Sequence, residues 1–174
     1  MHGSNLGMSM NESVLVNSTH SALSDIYDPL TDLYNRHLFV QVSDALLRIS
    51  IRQKMPVCIA MISLDHCDEM DHAEMEHLVR KSAELLKKVT RDSDVLSHFD
   101  KDKFALLLYN CSHQSSKMVA DRVHHQIKDH IEFGDQPVSI SIGLAEFDVN
   151  LAGNGNNLSD QLVEDALHSM MPYR

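Results

Sequence analysis

The chain has 174 residues, 43% hydrophobic and 23% charged, with a formal net charge of −10. That length suits one globular domain plus a tail, and the composition is that of an ordinary soluble globule. The negative balance argues against a general nucleic-acid surface, which needs clustered Lys and Arg, and no run approaches the roughly 18 apolar residues of a membrane span.

Residues 1–26 read as a flexible tail rich in Ser, Asn and Met, with Met1-His2-Gly3-Ser4 as an expression remnant. No apolar stretch follows a basic start, so no secretory signal is expected. Asp28-Pro29-Leu30-Thr31 is a turn, with Thr31 or Asn35 as candidate helix cap. Leu38, Val42, Ala45, Leu46 and Ile49 then recur at helical spacing. Pro56 to Leu64 is short, continuously apolar and partly β-branched, the pattern of a buried strand. Ala73 to Val89 is helical, with Met75, Leu78, Val79, Ser82, Leu85, Leu86 and Val89 on one stripe. Asp94 to Phe99 and Phe104 to Tyr109 are strands joined by the polar turn Asp100 to Lys103, a hairpin. Ser112 to Ile131 is a helix with Val119, Val123 and Ile127 inward. A strand over Pro137 to Phe147, a Gly/Asn loop over Asn150 to Asn157 and a helix over Leu158 to Met170 complete the order. That order fits an α+β fold of ferredoxin-like type, helices packed on a mostly antiparallel sheet.

Several of these segments carry motifs. Arg91-Asp92-Ser93-Asp94 is an Arg-x-x-Asp pair, and five residues separate it from Asp100-Lys101-Asp102-Lys103-Phe104. Asp28-Pro29-Leu30-Thr31-Asp32-Leu33-Tyr34-Asn35-Arg36 opens the domain, Ala120-Asp121-Arg122-Val123 lies in the third helix, and Val138-Ser139-Ile140-Ser141-Ile142-Gly143-Leu144-Ala145 forms the late strand. Together they resemble the GGDEF family, the diguanylate cyclases that join two GTP molecules into cyclic di-GMP. The matching motifs are D-x-L-T-G-L-x-N-R, R-x-x-D, the pentapeptide itself, A-E-R-I and V-T-V-S-I-G-V-A. The resemblance runs from about Asp28 to Met171 and implies a five-stranded nucleotidyl-cyclase sheet flanked by helices, with residues 27–174 as one degenerate GGDEF domain.

The departures concentrate on the catalytic residues that the resemblance implies. Where the family's first strand ends in D-x-D-H-F-K, this chain has Ser63-Leu64-Asp65-His66-Cys67-Asp68. A metal-binding Asp is thereby Ser63, a weak ligand for a hard cation, and a phosphate-contacting Lys is Asp68. Asp100 and Lys101 replace the glycines that let GTP approach the backbone, and Lys103 replaces a metal-binding Glu; Asp102 keeps its acid. A second phosphate-contacting Lys aligns with Met171, and the guanine-reading Asn and Asp align with Asp71 and Glu76, across a segment shorter than the family norm. Phosphoryl transfer needs cations held by carboxylates. Ser63, Asp65, Asp102 and Lys103 are therefore read as vestigial, with no catalytic residue, no metal site and no Mg²⁺ expected.

The regulatory residues match. The resemblance assigns Arg91, Asp94 and Arg122 to a cyclic di-GMP site, and the chemistry suits the ligand. An Arg fork pairs with phosphate or with guanine O6 and N7, and an Asp accepts from guanine N1 and N2 while steadying the Arg. A surface salt bridge is the bland reading of the same pair.

The expected function is that of an inactive GGDEF domain binding cyclic di-GMP in a cytoplasmic signalling pathway, with a protein partner or a second copy of itself. The rivals are an interaction module with no nucleotide contact and a living cyclase with an unusual site. Cys58, Cys67 and Cys111 are too few for a disulfide framework, and Cys58 reads as a small hydrophobe in a reducing compartment. Of the 12 histidines, His72 with Glu76 has zinc-like i, i+4 spacing, but solvated histidines, His124, His125 and His130 among them, are the expectation. Met55, Met61, Met75 and Met118 are assigned to the core, and Met170-Met171 to a contact patch.

Overall fold

The computed structural model describes residues 22–23, 25–150 and 155–174. Most of the expected tail, and residues 151–154 of the Gly/Asn loop, lie outside the described residues. Four α-helices are described: α1 (Arg36–Gln53), α2 (His72–Val89), α3 (His113–His130) and α4 (Leu158–His168). The strands are β1 (Val57–Leu64), β2 (Val95–Asp100), β3 (Lys103–Tyr109), β4 (Glu132–Phe133), β5 (Gln136–Pro137), β6 (Ile140–Phe147) and β7 (Met171–Pro172). Five of them form one sheet in the order β2-β3-β1-β6-β7, with every neighbouring pair antiparallel, and β4 and β5 form a separate small hairpin.

The centre of this sheet is β1, whose eight residues are all buried. A strand covered on both faces has no polar side to present, which is why Val57 to Leu64 reads as an unbroken apolar run. Cys58, Ala60, Ile62 and Leu64 join the core under α2 and α3. Val57, Ile59 and Met61 join a second core with Phe39 and Leu47 of α1 and Leu162, Val163 and Ala166 of α4. The result is a sheet between two helical layers.

Helix starts follow local chemistry. Asn35 caps α1, its side chain accepting from the Leu38 N–H at 2.8 Å. Asp71 and Glu74 form a reciprocal capping box on α2. Ser112 caps α3, and α4 is capped across the molecule, where Asp44 of α1 accepts from the Ser159 N–H at 2.8 Å. Asp32, where the resemblance has glycine, has a φ of 58°, the left-handed region that Asp tolerates better than most side chains.

Some expectations need correction. The buried stripe of α1 is Phe39, Ser43, Leu47 and Ser50, one residue round from Leu38, Val42, Ala45 and Leu46. Two serines count as polar in a pattern, yet their small size lets the helix sit close while Phe39 meets Phe99 edge-on at 5.9 Å. Met118 is 67% exposed rather than core. His124 is buried instead of solvated; it lies 5.3 Å from the Tyr173 ring. The Pro137 to Phe147 segment begins its ladder only at Ile140, and Pro137 pairs with Glu132.

The chain's last residues close the sheet. β7 pairs with Ser141 and Ile142, the Tyr173 N–H donates to the Ile140 carbonyl at 2.9 Å, and the Tyr173 hydroxyl donates to Asp121 of α3. Behind this latch, burial lowers the pKa of His124 below its ordinary 6.5, aided by Lys128 and His125 and opposed by Asp121 and Asp129. α4 crosses β6 at Gly143, where an added Cβ would lie 1.9 Å from the Ala166 carbonyl oxygen.

Gly143→Ala is therefore expected to cost about 3 kcal/mol in urea denaturation, because backbone meets backbone with no flexible side chain to yield. A loss under about 0.5 kcal/mol contradicts the contact. For His124 the folded pKa is depressed, so the unfolded state binds the proton first and stability falls as pH drops below the ordinary value of 6.5. His124→Gln should flatten that fall, and an unchanged pH slope speaks against the buried neutral ring.

Candidate functional site

The C-terminal end of β1 opens into a cleft of about 460 Å³ lined by Ser63, Asp65, His66, Asp68, Asp102 and Ser139 among others. Pairing on both sides of β1 builds it: Ser63 stands opposite Lys103 of β3 and Ser141 of β6. Neighbours across antiparallel strands share a face, so an ammonium and a hydroxyl flank the serine. Asp65 is held from β6. Its Oδ2 accepts from the Ser139 hydroxyl and its Oδ1 from the Ser141 hydroxyl, both at 2.8 Å, and its N–H donates to the Ser139 carbonyl at 3.0 Å. The ammonium of Lys103 lies 2.8 Å from Asp102 Oδ1.

The hairpin turn is fixed as well. The ladder shifts register between His98 and Asp100, and the Lys101 N–H donates to Asp100 Oδ1 at 2.8 Å. His98 ties this turn to the opening motif: Nδ1 lies 3.0 Å from Asp28 Oδ2, and Nε2 lies 3.3 Å from the Lys101 carbonyl. Asp28 Oδ2 also accepts from the N–H and hydroxyl of Thr31. Burial, then the charges of Asp102 and Asp68, push the Cys67 thiol up to about 11, so this thiol stays protonated beneath the cleft. The two residues aligned with guanine readers serve α2 instead: Asp71 caps it and Glu76 pairs with His72 at 3.0 Å. Among the described residues no group of three His, Cys, Asp or Glu is placed to share a metal ion.

Arg91 and Asp94 meet in a closed turn between α2 and β2. The Arg91 N–H donates to Asp94 Oδ2 at 2.9 Å, and the Asp94 N–H donates to the Arg91 carbonyl at 3.0 Å. Nη2 of Arg91 reaches both Asp94 Oδ1 and the Tyr109 carbonyl at 3.3 Å. The Asp94 side chain is 2% exposed and the Arg91 side chain 53%. Asp94 thus steadies the arginine, and in this conformation it is too enclosed to accept from a guanine as well. Arg122 is an exposed residue of α3. Burial pushes the Cys111 thiol up, and the charges of Arg91 and Arg122 draw it down.

Ser139 and Ser141 are read from sequence only as part of the late-strand motif, and the Tyr109 carbonyl is not singled out at all. Their roles come from strand register, which places them beside Asp65 and Arg91 only once β1 is paired on both sides.

The diguanylate cyclase GGDEF-domain family matches residues 25–171, and the chain belongs to it. It is 27% identical over 150 residues to the probable diguanylate cyclase DgcT of Escherichia coli, covering 81% of this chain and 32% of that one, so it spans about a third of that relative's length. The fold is shared with the diguanylate cyclase SiaD of Pseudomonas aeruginosa, solved with its activator SiaC, at a TM-score of 0.72 and 22% identity over 93% of this chain and 64% of that one. It is shared also with the coiled coil and GGDEF domain of DgcB from Caulobacter crescentus, solved with c-di-GMP, at 0.76 and 15% over 92% and 86%. The chain carries a GGDEF domain, a fold associated with cyclic di-GMP signalling, and no described helix is long and apolar enough to cross a membrane.

The Asp94 contacts predict a stability effect. Asp94→Ala removes the acceptor for the Arg91 backbone and fork, and should lower unfolding free energy by about 1–2 kcal/mol in chemical denaturation. No change would mean that the turn does not depend on this carboxylate.

Proposed function

We propose that this chain is a GGDEF domain that binds cyclic di-GMP through Arg91, oriented by Asp94, and Arg122, does not make it, and passes the signal to a protein partner or a second copy. The observation that carries this reading is the contrast between two ends of β3. At its C-terminal end a half-exposed Arg91 is held from behind by a buried carboxylate and the Tyr109 carbonyl. Its Nη1 makes no hydrogen bond to a described residue, leaving two N–H groups for a phosphate or a guanine edge. At the N-terminal end the donor set does not fit the divalent cation that cyclase chemistry uses. Mg²⁺ takes hard oxygens at about 2.0–2.1 Å in octahedral array. Here Ser63 offers a neutral hydroxyl, both oxygens of Asp65 already accept from serines, and the Lys103 ammonium sits on Asp102.

Two further facts support the reading. A relative of the same fold was solved with c-di-GMP, and another with a protein activator. The three cysteines are free and buried, which suits work in the reducing cytoplasm. A second reading, an interaction module without nucleotide, draws on the exposed Met118 and Met171.

Calorimetric titration separates them. The full chain should bind cyclic di-GMP at tens of micromolar or better, and Arg91→Ala should lose at least about tenfold while Ser63→Asp does not. Absence of heat at those concentrations leaves the interaction module standing. Cyclic di-GMP formed from GTP with Mg²⁺ or Mn²⁺, above a protein-free control, overturns the inactive reading.

A further inference from the structure

The segment that closes the sheet is held by few bonds. β7 meets β6 at two positions, Pro172 against Ser141 and Met171 against Ile142, and Pro172 has no N–H to give to the ladder. Met171 is 69% exposed. The residue that ties this segment down is Tyr173. Its N–H donates to the Ile140 carbonyl at 2.9 Å, its ring packs on the core under α2 and α3, and its hydroxyl donates to Asp121. Burial, then the bond to Asp121, push the phenol up to about 12, so it stays a neutral donor.

Against the Tyr173 ring lies a side chain that can change charge. The His124 ring is 5.3 Å from that of Tyr173 and 5.7 Å from that of His125. The residue is 8% exposed, and its Nδ1 has no hydrogen-bond partner among the described residues. A neutral imidazole carries one N–H, whereas an imidazolium carries two and needs an acceptor or water at each. Charging this ring therefore requires that Nδ1 be uncovered or given an acceptor. Burial, then Lys128 and His125, hold its pKa below 6.5, while Asp121 and Asp129 oppose them; all four residues are on α3. From the sheet side, the titratable group against it is Tyr173.

Asp121 is common to both residues. It stands three positions before His124, the spacing at which side chains of one helix face meet. Its carboxylate favours the charged ring, yet it accepts from the Tyr173 hydroxyl. An imidazolium at position 124 would compete with that phenol for the same carboxylate, and a charge-assisted bond outweighs a neutral donor's.

We propose that β7 is an acid-released strap: protonation of His124 draws Asp121 away from Tyr173, and Tyr173 and β7 lift together from the Ser141–Ile142 edge of β6. The proton comes from solvent and returns to it on neutralisation, so the step is reversible. The sign follows from the covered ring. The strapped form binds the proton less readily than the open form, so falling pH favours opening. The strap does not depend on nucleotide binding at Arg91, and either can fail alone.

The test is hydrogen–deuterium exchange of the full chain between about pH 7.5 and pH 5.0, read by mass spectrometry and corrected for the intrinsic effect of pH on amide exchange. Residues 169–174 should lose protection by at least about tenfold on acidification, while β1 takes up no deuterium over the same labelling times. His124→Gln, which stays neutral, should hold the segment's protection constant. Asp121→Asn still accepts from Tyr173 but cannot answer an imidazolium, and should shrink the loss; Asp121 is exposed, so this variant tests the strap even where the buried substitution fails to fold. Any of four results would overturn the proposal: constant protection of residues 169–174 in the parent, an equal loss in His124→Gln, an equal loss in Asp121→Asn, or exchange of β1 together with the segment, which is global unfolding.

Discussion

Everything that distinguishes this molecule depends on β1 being paired along its whole length on both sides. The register sets Ser63 against Lys103 and Ser141 at one end and Val57 against Tyr109 and Phe147 at the other. β3 therefore begins at the cleft and ends where Tyr109 holds the Arg91 fork, and its seven residues span about 20 Å. A slip of one residue would turn every side chain of β1 to the opposite face, separating Asp65 from its serines. The buried apolar face on each side makes such a slip costly, so one strand keeps both sites in place.

The same residue types do opposite work at the two ends. Asp65 and Asp102 are carboxylates whose charge is answered inside the protein, by hydroxyls and by an ammonium. Asp94 is also answered inside, but its partner is an arginine with N–H groups to spare, so the pair still faces outward. An internal partner silences a group with few contacts to offer and orients one with many. Arg122 is tied in through α3, the helix that also anchors the chain's end through Asp121 and Tyr173. A ligand bridging Arg91 and Arg122 would thus bear on the helix that holds β7.

Much of this was legible in the sequence because the motifs are local. The apolar run of β1 and the stripe of α2 each lie within a few consecutive residues and match the structure, and of the two candidate caps, Thr31 and Asn35, it is Asn35 that caps α1. What the sequence hid was set by tertiary contact. α1 turned by one residue because Ser43 and Ser50 are small enough to bury. His124 is buried because Tyr173, distant in sequence, covers it. The two-residue β4, β5 and β7 carry no periodicity to find. The serines that engage Asp65 sit more than seventy positions away, in a strand that matches the family motif for other reasons.

The central claim, proposed above, is that nucleotide is bound at the Arg91 turn and not in the Asp65 cleft. A crystal structure with cyclic di-GMP tests it most directly. The account predicts a ligand phosphate or guanine edge on the Arg91 guanidinium, with Arg122 beside it and no nucleotide between Ser63 and Asp102. Nucleotide density in that cleft, or a ligand that touches neither arginine, would contradict it.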